Sequence, residues 1–183
     1  MTSAALDVAR ATPWFRVPRA TNRLGELLAH ASNALAGGVH EDALGALAMA
    51  LTLAPADIGL RLRYAVLLAH QGRHRAAQDA FMDVLDRDRT NLDALISLAE
   101  LCRGAKHLVG AVDLLEHARR FHGDHPDVLA ALAGIALDLA DVDGAMRLLV
   151  HLQRRTPTHP DLDTLVQRVA DQRARENLAA LGL

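Results

Sequence analysis

The sequence predicts an all-α chain of stacked helix pairs, and two observations carry that expectation. The first is composition. Alanine (35) and leucine (33) fill more than a third of 183 positions, isoleucine occurs three times, and aromatics make up 3%. Good helix formers in such excess, with so few β-branched and aromatic residues, argue against a sheet protein. The second is self-similarity at a step of 34 residues, the mark of a repeat architecture. At that step Ala31, Ala65, Ala99 and Ala133 fall in register, and so do Ala43, Ala77, Ala111 and Ala145. Leu47, Phe81, Leu115 and Leu149 form a third column, and Ala50, Val84, Ala118 and Leu152 a fourth.

Taken in order, residues 1–23 form an N-terminal arm. A short helix before Pro13 is one expectation for it, and disorder is another. The arm holds four arginines, one aspartate and two of the five aromatics, Trp14 and Phe15. That pair is a candidate to cap the first repeat or to dock in the groove of a neighbouring copy, giving a homo-oligomer. Four repeats follow at 24–57, 58–91, 92–125 and 126–159, with no insertions. The alanine columns sit where paired helices cross, since a small side chain lets two backbones approach within about 8–10 Å. The larger apolar columns fill the space between copies. Leu27, Leu95 and Leu129 align, and Arg61 breaks that set. Gly38 and Gly72 fall between the two helices of a repeat, where a C-cap wants positive φ; Lys106 and Ala140 replace them in the later copies. Pro55 and Pro157 close repeats one and four, with Arg89 and Gly123 at the same place in the others. A capping helix and tail are expected over 160–183. Its apolar face is read as Leu162, Val166 and Val169, and its polar face as Arg168, Gln172 and Arg175.

These columns, cleanest in the run from Arg61 to Leu85, make the chain similar to the tetratricopeptide repeat family. The resemblance covers residues 24–157, without the family's first-helix tryptophan. It implies a right-handed α-solenoid of helix-turn-helix repeats whose first helices line a concave groove. It also implies a non-catalytic protein that holds a partner peptide, helix or protein surface there. The groove positions are Leu28, Ser32, Leu35 and Ala36 in repeat one, and Leu62, Arg63, Val66, Ala69 and His70 in repeat two. They continue as Asp93, Ile96, Ser97, Glu100 and Arg103 in repeat three, and as Asp127, Ala130, Ala131, Gly134 and Asp138 in repeat four. The amino-terminal half therefore reads as apolar, and the carboxy-terminal half as small and acidic. Chaperone cofactors of this family grip an acidic C-terminus with lysines and asparagines spread over three first helices. Leu28, Ser32, Arg63, Asp93 and Ser97 stand there in this chain. Only Arg63 has the chemistry, so that ligand mode is not expected.

Other function classes find little support. With 20 basic against 22 acidic residues the net charge is −2, which gives no global case for nucleic acid or an anionic membrane. Five aromatics do not make a stacking platform for single strands. The one cysteine, Cys102, excludes an internal disulfide and a cysteine-based zinc site, and reads as a small interior hydrophobe. Ten histidines are many, but His70 and His74 straddle a helix break, and His122 and His125 lack a third ligand at metal spacing. No phosphate loop, HExxH or GxSxG occurs, so no catalytic residue, cofactor or metal is expected. No signal peptide is seen in residues 1–12, and no apolar run approaches the roughly 20 residues needed to span a membrane. A cytoplasmic location is expected, and 19 arginines against one lysine point to a GC-rich bacterial genome. The leading expectation is an adaptor or scaffold for a protein partner. One alternative is a small chaperone of a secretion-system substrate, although those usually carry three repeats. Another is a regulatory or docking subunit of a biosynthetic or glycosyl-transfer enzyme.

Overall fold

The computed structural model describes residues 19–180, all helices and turns. The helices are α1 (Arg19–Ala36), α2 (His40–Leu53), α3 (Ile58–His70), α4 (His74–Arg87), α5 (Leu92–Gly104), α6 (Leu108–His122), α7 (Pro126–Asp138), α8 (Val142–Arg155) and α9 (Leu162–Ala180). The starts of α3, α5 and α7 keep the 34-residue step of the sequence, and so do those of α2, α4, α6 and α8. Helix α1 begins at Arg19, inside the stretch assigned to the arm; Trp14 and Phe15 lie outside the described residues.

Helices α1, α3, α5 and α7 each pack against the even-numbered helix that follows, and the pairs stack in chain order. The two alanine columns are the crossings: Ala43, Ala65, Ala77, Ala111, Ala133 and Ala145 have no exposed surface. Between the pairs lie Phe81, Val84, Leu115 and Leu152, also fully buried. Arg61, at the leucine column, stays half-buried by donating to the Pro55 carbonyl and the Asp83 carboxylate, both at 2.9 Å. The first helices also touch one another, α3 with α5, α5 with α7 and α7 with α9. Among the described residues no two second helices do. Elements that approach more closely lie on the inside of a curved stack, so the first helices form the concave face. The architecture is the right-handed α-solenoid expected from the repeats.

The turns explain why the register holds. In every repeat the chain leaves the first helix through one residue of positive φ: Gly38 (73°), Gly72 (70°), Lys106 (63°) and Ala140 (60°). Two backbone bonds close each turn in the Schellman pattern. The residue after the turn donates back to the helix, as Val39 to Ala34, Arg73 to Leu68, His107 to Cys102 and Asp141 to Ala136, at 2.8–3.0 Å. The positive-φ residue itself donates to the carbonyl three positions earlier, at 3.0–3.1 Å. The glycine column is thus a conformational requirement, met by two residues that carry a Cβ.

Helix starts are fixed by side-chain caps on Asp57, Asn91 and Asp141, and by Pro126 in the first turn of α7. Where the proline column holds Arg89, the Asp88 carboxylate builds the turn by accepting from the Thr90 backbone, the Thr90 hydroxyl and the Asn91 amide. Those bonds, Asn91's first, hold the Asp88 carboxyl below the usual aspartate range. Where the column holds Gly123, a φ of 64° stops α6 instead.

Among the described residues, the first and last helices of the stack both carry polar faces. Glu26, His30 and Asn33 of α1 are exposed, at columns that hold Leu60, Tyr64 and Leu67 one repeat later. At the other end α9 buries Leu162, Leu165 and Val169 against α7 and α8. Val166 does not belong to that face and is 50% exposed. Steps of three and four residues from Leu162 both approximate a helical turn, and the packing selects the side holding Leu165.

Candidate functional site: the concave face

Two clefts open on the concave face, and they differ in chemistry. The first lies between α1 and α3. Among the described residues these are the only successive first helices that do not touch, and a gap of about 330 Å³ reaches down to Leu47 of α2. Leu28, Ala31, Ser32 and Leu35 line one wall, and Leu62, Arg63, Val66, Leu67 and His70 the other. Leu35 is 42% exposed, a large apolar side chain facing water. The sequence-derived groove residues Leu28, Leu62, Arg63, Val66 and His70 all meet here. Among the described residues Arg63 has no ion-pair partner.

The second cleft, about 470 Å³, lies between α5, α7 and α9. Its floor is Ala130, Ala131 and Gly134, and its rim carries Ile96, Glu100, Arg103, Asp127, Asp161 and Arg168. Both arginines here are spent on carboxylates. Arg103 donates to Glu100 at 2.9 Å and meets Asp138 at 3.3 Å, and Arg168 donates to the other oxygen of Asp138 at 2.8 Å. This ladder ties α5, α7 and α9 together. Partial burial works against the Arg103 charge, but the two carboxylates outweigh it and raise the guanidinium above its ordinary value. A Cβ on Gly134 would come within 3.3 Å of the Arg103 guanidinium, so the small floor is what lets that side chain lie across it.

Two acidic groove candidates fare differently. Asp127 is bound by His159, whose Nε2 donates to its Oδ1 at 2.9 Å. The Asp161 backbone N–H donates to His159 Nδ1 at 3.2 Å, which fixes the tautomer. His159 is buried, and it latches the start of α9 onto α7. Asp93 is exposed in the first turn of α5 and lines neither cleft. Sequence reasoning missed the Asp138–Arg168 and Asp127–His159 pairs. The signal was present: partners on stacked helices stand 30–35 residues apart, near one repeat length.

Other histidines also act as staples. His117 donates to the Arg89 carbonyl at 3.0 Å and His122 to that of Thr90, which ties α6 to the turn before α5. Among the described residues no group of three His, Cys, Asp or Glu side chains is placed to hold a metal ion. Cys102 is half-buried beside the core of repeats three and four, and burial pushes its thiol up. No described helix is long and apolar enough to cross a membrane.

Comparison with known proteins places this geometry. The tetratricopeptide repeat family model matches residues 103–169, from the end of α5 into α9. No curated protein matches the chain. Among solved structures, a tetratricopeptide repeat protein from Parabacteroides merdae is similar with a TM-score of 0.71 at 14% identity, over 85% of this chain and 62% of that one. The chain therefore spans less than two thirds of that protein's length. Pseudomonas aeruginosa PilF gives 0.70 at 17% identity, over 87% and 72%. MamA from Desulfovibrio magneticus, from residue 41 to its end, gives 0.66 at 14% identity, over 85% and 96%. At these identities the likeness is one of fold.

Proposed function

We propose, from the premise that this chain is a tetratricopeptide repeat protein, that it is a non-catalytic adaptor holding a segment of a partner protein on its concave face. The observation that carries the reading is the cleft between α1 and α3. It is apolar, open and large enough for a few side chains, at the small end of the roughly 300–1,000 Å³ typical of ligand clefts. An apolar recess with a charged rim suits an extended peptide or one face of an amphipathic helix. Repeat proteins of this kind keep their inner helices rigid through neighbour packing, so the recess is formed before a partner arrives.

The test is affinity capture from the native organism followed by mass spectrometry. The wild type is compared with a concave variant, Leu35→Asp with Arg63→Glu, and a convex control, Met82→Asp. Met82 is 49% exposed on α4, so its replacement leaves the core intact. Partners kept by the control and lost by the concave variant support the reading. Equal capture by all three overturns it.

A further inference from the structure

We infer that the segment seated between α1 and α3 is acidic as well as apolar, with a carboxylate meeting Arg63. This rests on the concave-face reading and adds the chemistry of the occupant.

Ionic character divides the two clefts. In the cleft between α5, α7 and α9 both guanidiniums are consumed internally, Arg103 by Glu100 and Asp138 and Arg168 by Asp138. A ligand there would have to break that ladder to gain an ion pair. Among the described residues lining the cleft between α1 and α3, Arg63 is the only one with a fixed charge, with His70 beside it, and none is a carboxylate. The one other cationic side chain nearby on α3, Arg61, is taken by Asp83 and the Pro55 carbonyl. Arg63 is thus a solvated cation at the lip of an apolar recess. An incoming lysine or arginine would face it across a low-dielectric wall. An incoming Asp or Glu would gain a charge-assisted, two-pronged hydrogen bond. Leu28, Leu35, Leu62 and Val66 supply the burial that makes such a pair selective. Apolar side chains fill the recess, and the carboxylate sets their register.

Panning a random twelve-residue peptide library displayed on phage against the full chain tests this, followed by binding measurements on the enriched peptides as synthetic probes. Enriched peptides are expected to combine two or more Leu, Ile, Val or Phe residues with Asp or Glu. Arg63→Glu should weaken them about fivefold or more, which is the upper end for an ion pair at a partly exposed site, and Arg63→Lys should retain most of the binding. Leu35→Asp should abolish it. Peptides weakened by Leu35→Asp but indifferent to Arg63→Glu, or enriched without acidic residues, overturn this inference and leave the concave-face reading standing. Peptides indifferent to Leu35→Asp, or no enrichment at all, overturn both.

Discussion

Replacing Lys106 and Ala140 by glycine should stabilise the protein, and the size of the gain follows from the turns. Both residues occupy the left-handed region, at φ 63° and 60°, in the same doubly bonded turn that Gly38 and Gly72 make at 73° and 70°. An L-residue held there costs roughly 1–2 kcal/mol through the clash of its Cβ with the following carbonyl. Glycine removes that cost but loses more freedom on folding, which offsets roughly 0.5–1 kcal/mol. The net gain is about 0.5–1 kcal/mol per site, and sites in separate repeats add, giving about 1–2 kcal/mol for Lys106→Gly with Ala140→Gly. For a chain of this size each kcal/mol raises the melting temperature by about 2–4 °C. The reverse change isolates the backbone effect. Nothing lies within 4 Å of where a Cβ on Gly38 or Gly72 would stand, so Gly72→Ala should cost about 1 kcal/mol with no packing change. Urea and thermal unfolding followed by far-ultraviolet circular dichroism measure both. A double glycine variant no more stable than wild type, or a harmless Gly72→Ala, would refute the reasoning.

Two further outcomes follow from the polar pairs. His159→Ala leaves the Asp161 N–H without its side-chain acceptor and Asp127 without its donor, so α9 should loosen by about 1–3 kcal/mol. Hydrogen exchange should accelerate in 162–180 and stay unchanged in α3 and α4; uniform acceleration would show a global defect instead. The Asp124 carboxyl is held below the ordinary aspartate range, first by its bond to Arg119. Its folded value is depressed, so the stability it contributes is present above the unfolded aspartate range and fades as the pH falls through the folded value. Arg119→Ala should raise the Asp124 midpoint in an NMR titration and start acid unfolding at a higher pH; an unmoved midpoint would remove Arg119 as the cause.

The sequence made the repeated part of this fold legible because periodicity converts one weak signal into four. Alanine at a crossing means little once, but four copies in phase fix the 34-residue step that the helix starts from α2 to α8 keep. The exceptions lie where the period lapses. Helix α1 begins five residues ahead of Leu24, with no earlier copy to define its start. On α9 the fifth copy starts two residues after Pro160, and Leu165 rather than Val166 turns inward. The two clefts were legible as sets of residues and not as shapes. That α1 stands off α3 follows from no column, because it depends on how closely two helices approach. The fate of the charges was hidden for a related reason. Arg63 and Arg103, on successive first helices, both read from the sequence as groove arginines. Only the stacked partners, Asp138 above all, make one of them spent, while the other has no ion-pair partner among the described residues.

The uninterrupted register has a consequence for how such a chain can vary. Its length is quantised. Removing residues 58–91 would bring α5 to rest on α2 with Leu95 and Ala99 where Arg61 and Ala65 now stand, and every later contact would be kept. Removing one residue fewer or more would turn everything downstream by about 100° about the helix axis and swing its alanine column away from the crossing. Whole units can be gained or lost with the seam intact, whereas a single-residue slip within a helix breaks it.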